Sequence, residues 1–395
     1  MRWLVALCGA MAMAQNPPTM FPPVRGTRGM VGAANNYEVE AGWRMLEHGG
    51  NAVDAGVAAV LAASVTELSR FGIGGEMPAI VKMAAGEPVV IAGVGRAPKL
   101  ATPEYFRKRG PEAWEEAGHM PPVPENGIRA AITPGAFDAL MVALEKFGTK
   151  PFAEVAQPAI ELAEGGFAMP EEFGRMLVGY QKILSLWPES QRFFYPDGAV
   201  TAVGTLFREP AYAATLRELE AAEKKAHGGR AKKIEAVRNA FYRGAVAKKI
   251  AAFSEANGGL LRYEDLAEFH AGVEQPVTGT YRGYTISKPG FWTQGPVMIE
   301  TLNILEGFDL KAMGHNSAAY LHTVVEAVKL AFADRDAYYG DPEASRIPAE
   351  VLLSKATRPR GGSRSIRGTR RWRAGRGSWT AWPRRRGRRA TRRAL

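Results

Sequence analysis

Between Ala52 and Val65 the chain is small and apolar on every side, with Asp54 its only charged residue. A helix without a polar face has nothing to show to water, so it must lie inside a layered protein. Asn51 stands where an N-cap is needed, and Asp54 falls in the first turn, where the helix dipole favours an acid. Gly49-Gly50 just upstream stops a preceding helix, because glycine accepts the left-handed conformation past a helix end. That earlier helix is expected over 37–48, with Val39, Trp43 and Leu46 on its inward face at i, i+4 and i+7.

The same reading extends down the chain. After the loop Ser69 to Gly75, strands are expected over 78–83 and 87–92. Helices follow at 135–147, with Phe137, Leu140, Met141, Leu144 and Phe147 on one face, and at 151–165. Lys224, Lys225, Arg230, Lys232 and Lys233 surround Gly228-Gly229, which reads as a solvated loop over 223–233. A helix over 239–256 ends at Asn257-Gly258-Gly259, and a strand pair spans 277–287. Ser317 caps a last helix to about Asp334, with Tyr320, Val324, Val328 and Ala331 along one stripe. Helices alternate with short strands and no internal repeat is visible, so the class is α/β or α+β.

The net charge of +11 does not describe the body of the protein. From Arg358 onward there are 15 Arg, no Lys and no acid, which leaves −4 for residues 1–357. A nucleic-acid partner inferred from total charge would rest on that tail alone. The tail, residues 357–395, holds Ile366 and Leu395 as its only aliphatic residues besides alanine, too few to offset the entropy of ordering it. A GC-rich gene read out of frame yields this Arg, Gly, Ala and Pro mixture. At the other end, Met1-Arg2, an apolar run to Ala14 and the Ala12-Met13-Ala14 site read as a signal peptide over 1–14, followed by an irregular leader over 15–28. The only cysteine, Cys8, lies in that peptide, and no run is long enough to span a bilayer. A periplasmic or secreted protein is expected.

Motifs with their own chemistry are scarce. Gly72-Ile73-Gly74-Gly75 lacks the G-x-G-x-x-G spacing of a dinucleotide loop and follows a buried helix rather than a strand. Close backbone approach explains it better. His322 and Glu326 lie four apart, with His315 upstream, but zinc needs three or four converging ligands. Asp334-Arg335-Asp336 and Asp341-Pro342 read as a helix end and a turn held by local pairs. There is no G-x-S-x-G elbow. No metal and no cofactor is expected.

Several blocks, in order, resemble the gamma-glutamyltranspeptidase family. They are Glu40-Ala41-Gly42 through Gly49-Gly50-Asn51-Ala52-Val53-Asp54-Ala55, then Gly72-Ile73-Gly74-Gly75, Pro134-Gly135-Ala136, and Pro158-Ala159-Ile160-Glu161-Leu162-Ala163 through Gly166-Phe167. Gly258-Gly259-Leu260 to Asp265-Leu266, Pro276-Val277 with Tyr281-Arg282-Gly283-Tyr284, Leu302 to Gly307, and Glu326 to Pro342 continue the series. The resemblance covers residues 29–356. It implies an N-terminal-nucleophile hydrolase with a four-layer αββα sandwich, whose precursor cuts itself into a large and a small subunit. The small subunit's new N-terminal threonine would attack a γ-glutamyl amide such as glutathione, with its own α-amine as base. The acyl-enzyme then passes to water or an acceptor amine, and backbone donors hold the oxyanion.

Three departures qualify that implication. The family's threonine sits in a Thr-Thr-His-like block, which this sequence lacks: Thr357, Thr369, Thr380 and Thr391 all fall in the Arg-rich tail. The chain is therefore expected to be the large-subunit portion alone, inactive by itself, with sheet edges left for the missing small subunit. The family's carboxylate-binding arginine precedes an Ala-Pro pair by three residues. Here that position is Val94, and Arg96 adjoins Ala97-Pro98, so Arg96 is the candidate substrate-binding residue. Thr293-Gln294-Gly295 replaces the Ser-Ser-Gly-Gly of most transpeptidases. Both changes resemble the divergent branch with acylase-like and oxamate-amidohydrolase-like members, the alternative reading of the substrate. A reading of another class is a non-enzymatic secreted protein with a polyanion-binding tail.

Overall fold

A computed structural model describes residues 24–108, 123, 124 and 126–355. The expected signal peptide, most of the leader and the Arg-rich tail lie outside these residues. The chain divides into two compact units, one ending at Glu274 and one beginning at Gln275.

In the first unit, α1 (Asn36–Glu47) is capped by Asn35, whose side-chain oxygen accepts from the Tyr37 and Glu38 amides. α2 (Ala52–Thr66) opens with a reciprocal capping box between Asn51 and Asp54 and is buried nearly all round, as its composition required. The inward face of α1 is not the expected one. Glu38, Ala41, Gly42 and Met45 are buried, while Val39, Trp43 and Leu46 are half-buried. A Cβ at Gly42 would stand 3.0 Å from the Ala55 carbonyl oxygen, so the seam with α2 admits only small residues and turns Trp43 to its margin.

β1 (Met77–Val81) and β2 (Val89–Gly93) start and end within two residues of expectation. They pair antiparallel, with Ala79 opposite Ile91. Next come α3 (Pro103–Lys108), α4 (Ala136–Phe147) and α5 (Phe152–Gly165). The short pair β3 (Phe167–Ala168) and β4 (Leu206–Phe207) brackets α6 (Glu171–Leu184) and α7 (Pro188–Phe194). α8 (Pro210–Lys225), α9 (Arg230–Tyr242), α10 (Ala245–Ala256) and α11 (Tyr263–Ala267) complete the helices, and β5 (Gly272–Glu274) pairs antiparallel with β2. The core is built from Leu61, Val65, Ile91, Phe137, Leu140, Leu144, Phe152, Ile160, Ile234 and Phe241, with the Phe137 and Phe241 rings stacked at 4.6 Å.

Two expectations are corrected here. The helix over 239–256 is two helices that break at Arg243-Gly244, where Gly244 is extended and caps α10; apolar spacing runs through the break because Phe241, Tyr242, Val246 and Ala247 all turn inward. The basic stretch 223–233 is a solvated loop between helices only over 226–229, and the residues on either side belong to the helices. Lys224 and Lys225 end α8, and Arg230 begins α9, with its guanidinium donating to the Leu144 and Glu145 carbonyls at 2.8 Å each. Those carbonyls lie in the last turn of α4, where Leu144 also accepts from the Gly148 amide at 3.1 Å, so Arg230 adds a side-chain cap to that helix end. Buried Glu223 does the converse for α5, accepting from the Phe152 and Ala153 amides at 2.8 Å.

In the second unit, β6 (Val277–Tyr281) and β7 (Tyr284–Lys288) form a hairpin whose two turn residues, Arg282 and Gly283, both have positive φ, the turn that suits strand twist. α12 (Gly295–Leu305) packs along α13 (Ala318–Tyr338), and α14 (Ala349–Leu352) follows. Ser317 caps α13 as expected, but the helix runs past Asp334, and of the expected stripe only Ala331 is fully buried. Thr323, Glu326 and Ala327 take the other inward places. All strand pairings among the described residues are antiparallel, which makes the class α+β. No helix among them is long and apolar enough to cross a membrane.

Candidate functional site

Arg96 follows β2 at the point where the chain meets the turn before α4. The Thr133 N–H donates to the Arg96 carbonyl at 3.0 Å. The Gly135 and Ala136 amides donate to the Gly75 carbonyl at 3.0 and 2.9 Å, which ties the 72–75 loop to the same turn. Only glycine allows this approach. A Cβ at Gly95 would lie 1.7 Å from the Thr133 oxygen, and one at Gly135 would lie 2.5 Å from the Gly93 oxygen. The close approach expected of Gly72-Ile73-Gly74-Gly75 is found instead at Gly95 and Gly135: a Cβ at Gly72 or Gly74 would meet open space, and the nearest atom to one at Gly75 would be the loop's own Gly72 oxygen, at 3.1 Å. Arg96 itself is exposed.

Beside it opens a cleft of about 450 Å³. Its lining starts at Ala97 and takes in Pro98, Phe106, Arg107, Arg129 and Ile132. Apolar groups dominate its wall, with the two guanidinium-bearing residues as cations. Such a wall suits the carbon chain of an acyl group that carries a carboxylate.

Behind the turn lies a polar cluster that sequence reasoning missed. Asp138, in the first turn of α4, is wholly buried. Its carboxylate forms an ion pair with Arg238 Nε of α9, accepts from the Ala271 amide, and meets His270 Nδ1 at 2.9 Å. Arg238 also donates to the Phe269 carbonyl and lies over the Tyr242 ring. The Tyr242 hydroxyl donates to the Pro134 carbonyl at 2.7 Å and accepts from the Asp138 amide at 3.0 Å. Burial raises the Tyr242 pKa, so the hydroxyl stays protonated and able to donate. A signal was present: Asp138 and Arg238 are lone charges on otherwise apolar helix stripes, which is how a buried ion pair shows itself.

In the second unit, Thr293 Oγ1 donates to the Gly290 carbonyl and accepts from the Gly295 amide, both at 2.9 Å. Gln294 Oε1 accepts from Arg335 at 2.7 Å. Asp334-Arg335-Asp336 is therefore only partly local. Arg335 pairs with Asp336 but also reaches Gln294, while Asp334 faces Glu300 of α12. Burial first, then the neighbouring Asp334, push the Glu300 carboxyl up to about 7, against a 2.6 Å hydrogen bond from Tyr339 Oη that favours the charged form. Among the metal-candidate residues, His322 is exposed and Glu326 pairs with Lys329 at 2.7 Å.

A family model described as gamma-glutamyltranspeptidase matches residues 39–361. The Acylase ACY 1 proenzyme of a Pseudomonas species is 34% identical over 335 residues, 85% of this chain and 58% of that one. The glutathione hydrolase proenzyme of Escherichia coli is 32% identical over 342 residues, 85% of this chain and 55% of that one. The chain thus spans little more than half the length of these curated relatives. Among solved structures, the gamma-glutamyltranspeptidase of Helicobacter pylori superposes with a TM-score of 0.75 at 31% identity, covering 85% of this chain and 91% of that chain. A cephalosporin acylase from Bacillus halodurans gives 0.74 at 30% identity, covering 87% and 61%. The fold is that of the N-terminal-nucleophile hydrolases.

Proposed function

Because this chain belongs to the gamma-glutamyltranspeptidase family, we propose that it forms the large-subunit part of an amide hydrolase or acyltransferase in which Arg96 binds a substrate carboxylate. The reading is carried by Arg96, an exposed guanidinium on a backbone fixed by Thr133 and by glycine packing, next to an apolar cleft. A rigid base is what a planar two-pronged donor needs to hold a carboxylate. The contrast in coverage supports the large-subunit assignment: 55–58% of proenzymes against 91% of one solved chain. The threonine nucleophile implied by the family would come from the polypeptide that those relatives carry beyond the matched stretch.

An acyl amide with a terminal carboxylate is the preferred substrate class, ahead of a γ-glutamyl compound. Two observations favour it: the cleft's wall is mostly apolar, and Arg96 is displaced by two residues from the family's position at Val94. The test is calorimetric titration of the full chain with glutarate and with L-glutamate. Glutarate should bind more tightly, and Arg96→Ala should weaken it about tenfold or more. Equal glutarate affinity in the wild type and Arg96→Ala would overturn the assignment of Arg96. Tighter binding of L-glutamate would return the substrate to the γ-glutamyl class.

A further inference from the structure

We infer that Tyr242 is a positioning residue for ligand binding at Arg96, acting through the turn Thr133–Ala136. The inference rests on the carboxylate-binding role proposed for Arg96 and adds to it the device that holds that residue in place.

The turn is gripped on two sides. In front, Thr133 holds the Arg96 carbonyl, and Gly135 and Ala136 hold the Gly75 carbonyl. Beyond these, a single hydroxyl bridges the turn to the first turn of α4: Tyr242 Oη donates to the Pro134 carbonyl and accepts from the Asp138 amide. Tyr242 is fully buried, and its ring stacks against Phe137 and Phe269, so the hydroxyl has no freedom to leave. The Arg238–Asp138 ion pair fixes the α4 end of the bridge. Neither hydrogen bond involves Arg96, and their loss would loosen the turn whose Thr133 amide holds the Arg96 carbonyl. A loosened fork loses directional binding before it loses charge.

Tyr242→Phe removes the bridge and little else. Tyr195→Phe is the matched control, because Tyr195 is equally buried and its hydroxyl donates to the Leu177 carbonyl at 2.6 Å, away from the turn. Both variants should lower the melting temperature by a similar few degrees. Only Tyr242→Phe should weaken glutarate binding, by about fivefold. In an Arg96→Lys background the added effect of Tyr242→Phe should shrink below twofold, since a lysine has no planar fork to aim. Equal glutarate affinity in the two tyrosine variants, or a full fivefold loss on top of Arg96→Lys, would overturn the inference while leaving Arg96 as the binder. If Arg96→Ala has no effect on glutarate, both readings fall together. A wild-type measurement stands should Tyr242→Phe not fold. The Thr133, Gly135 and Ala136 amides should exchange with solvent as slowly as the interior of α4, and fast exchange there would mean that nothing pins the turn.

Discussion

Asp54 in the first unit and Glu300 in the second are both buried carboxylates, at 0% and 4% exposure, yet their surroundings favour opposite charge states. Burial alone would push Asp54 up. Hydrogen bonds from Thr149 Oγ1 at 2.6 Å, the Thr149 and Asn51 amides at 2.8 Å and the Lys150 amide at 3.0 Å outweigh it, and the net direction is down. Glu300 has one strong donor, Tyr339, and a second acid beside it, so burial wins and the group rises to about 7. Glu209 shows that the unit is not the cause. It belongs to the first unit, has a buried oxygen without a partner, and is pushed up to about 7 by burial. The number of donors decides which form a buried acid takes.

The sharpest way to break this comparison is to remove a fully paired acid. Asp138→Ala leaves Arg238 charged and nearly buried with no counter-ion, and should cost about 3–5 kcal/mol in urea unfolding. A loss under about 1 kcal/mol would mean that the ion pair contributes little beyond packing.

A smaller effect, with a distinctive pH signature, belongs to Glu300. Its folded pKa of about 7 lies above the ordinary 4.5, so between those values the folded state binds more protons than the unfolded one. Its contribution is therefore complete below 4.5, falls as pH rises toward 7, and is lost above it. Asp54 runs the other way. Its contribution is present above its ordinary 3.8 and disappears as pH falls below that value. Glu300→Gln keeps an acceptor for Tyr339 but cannot ionise. Unfolding at two pH values should show a gain under about 1 kcal/mol at pH 5 and a gain on the order of 3 kcal/mol at pH 8. The same gain at both pH values would remove ionisation as the cause.

The least effect is expected where solvent already does the work. Lys329 is 63% exposed beside Glu326, and Lys329→Met should shift stability by less than about 0.5 kcal/mol. A larger loss would show that the buried face of Glu326 depends on its partner.

Much was legible before any coordinates. Capping chemistry at Asn51 and Ser317 and the all-round burial of α2 follow from local backbone rules and hydrophobicity, and they appear where expected. The block order pointed to the family and to Arg96. What stayed hidden depends on partners distant in sequence. Arg230 reads as a solvated charge until the end of α4 is brought to it, and the inward face of α1 turns on the closeness of Ala55 to Gly42.

By itself, then, the sequence determined the first two helices, the caps at Asn51 and Ser317, the buried layer and the family, because each depends on neighbours a few positions apart or on the order of blocks. Only the tertiary structure decided that Tyr242, Asp138, Arg238 and His270 meet behind the turn that holds Arg96. Asp138 and His270 stand 132 positions apart. No periodicity records such a separation, and a polar group's partner is known only once burial has removed water as the alternative.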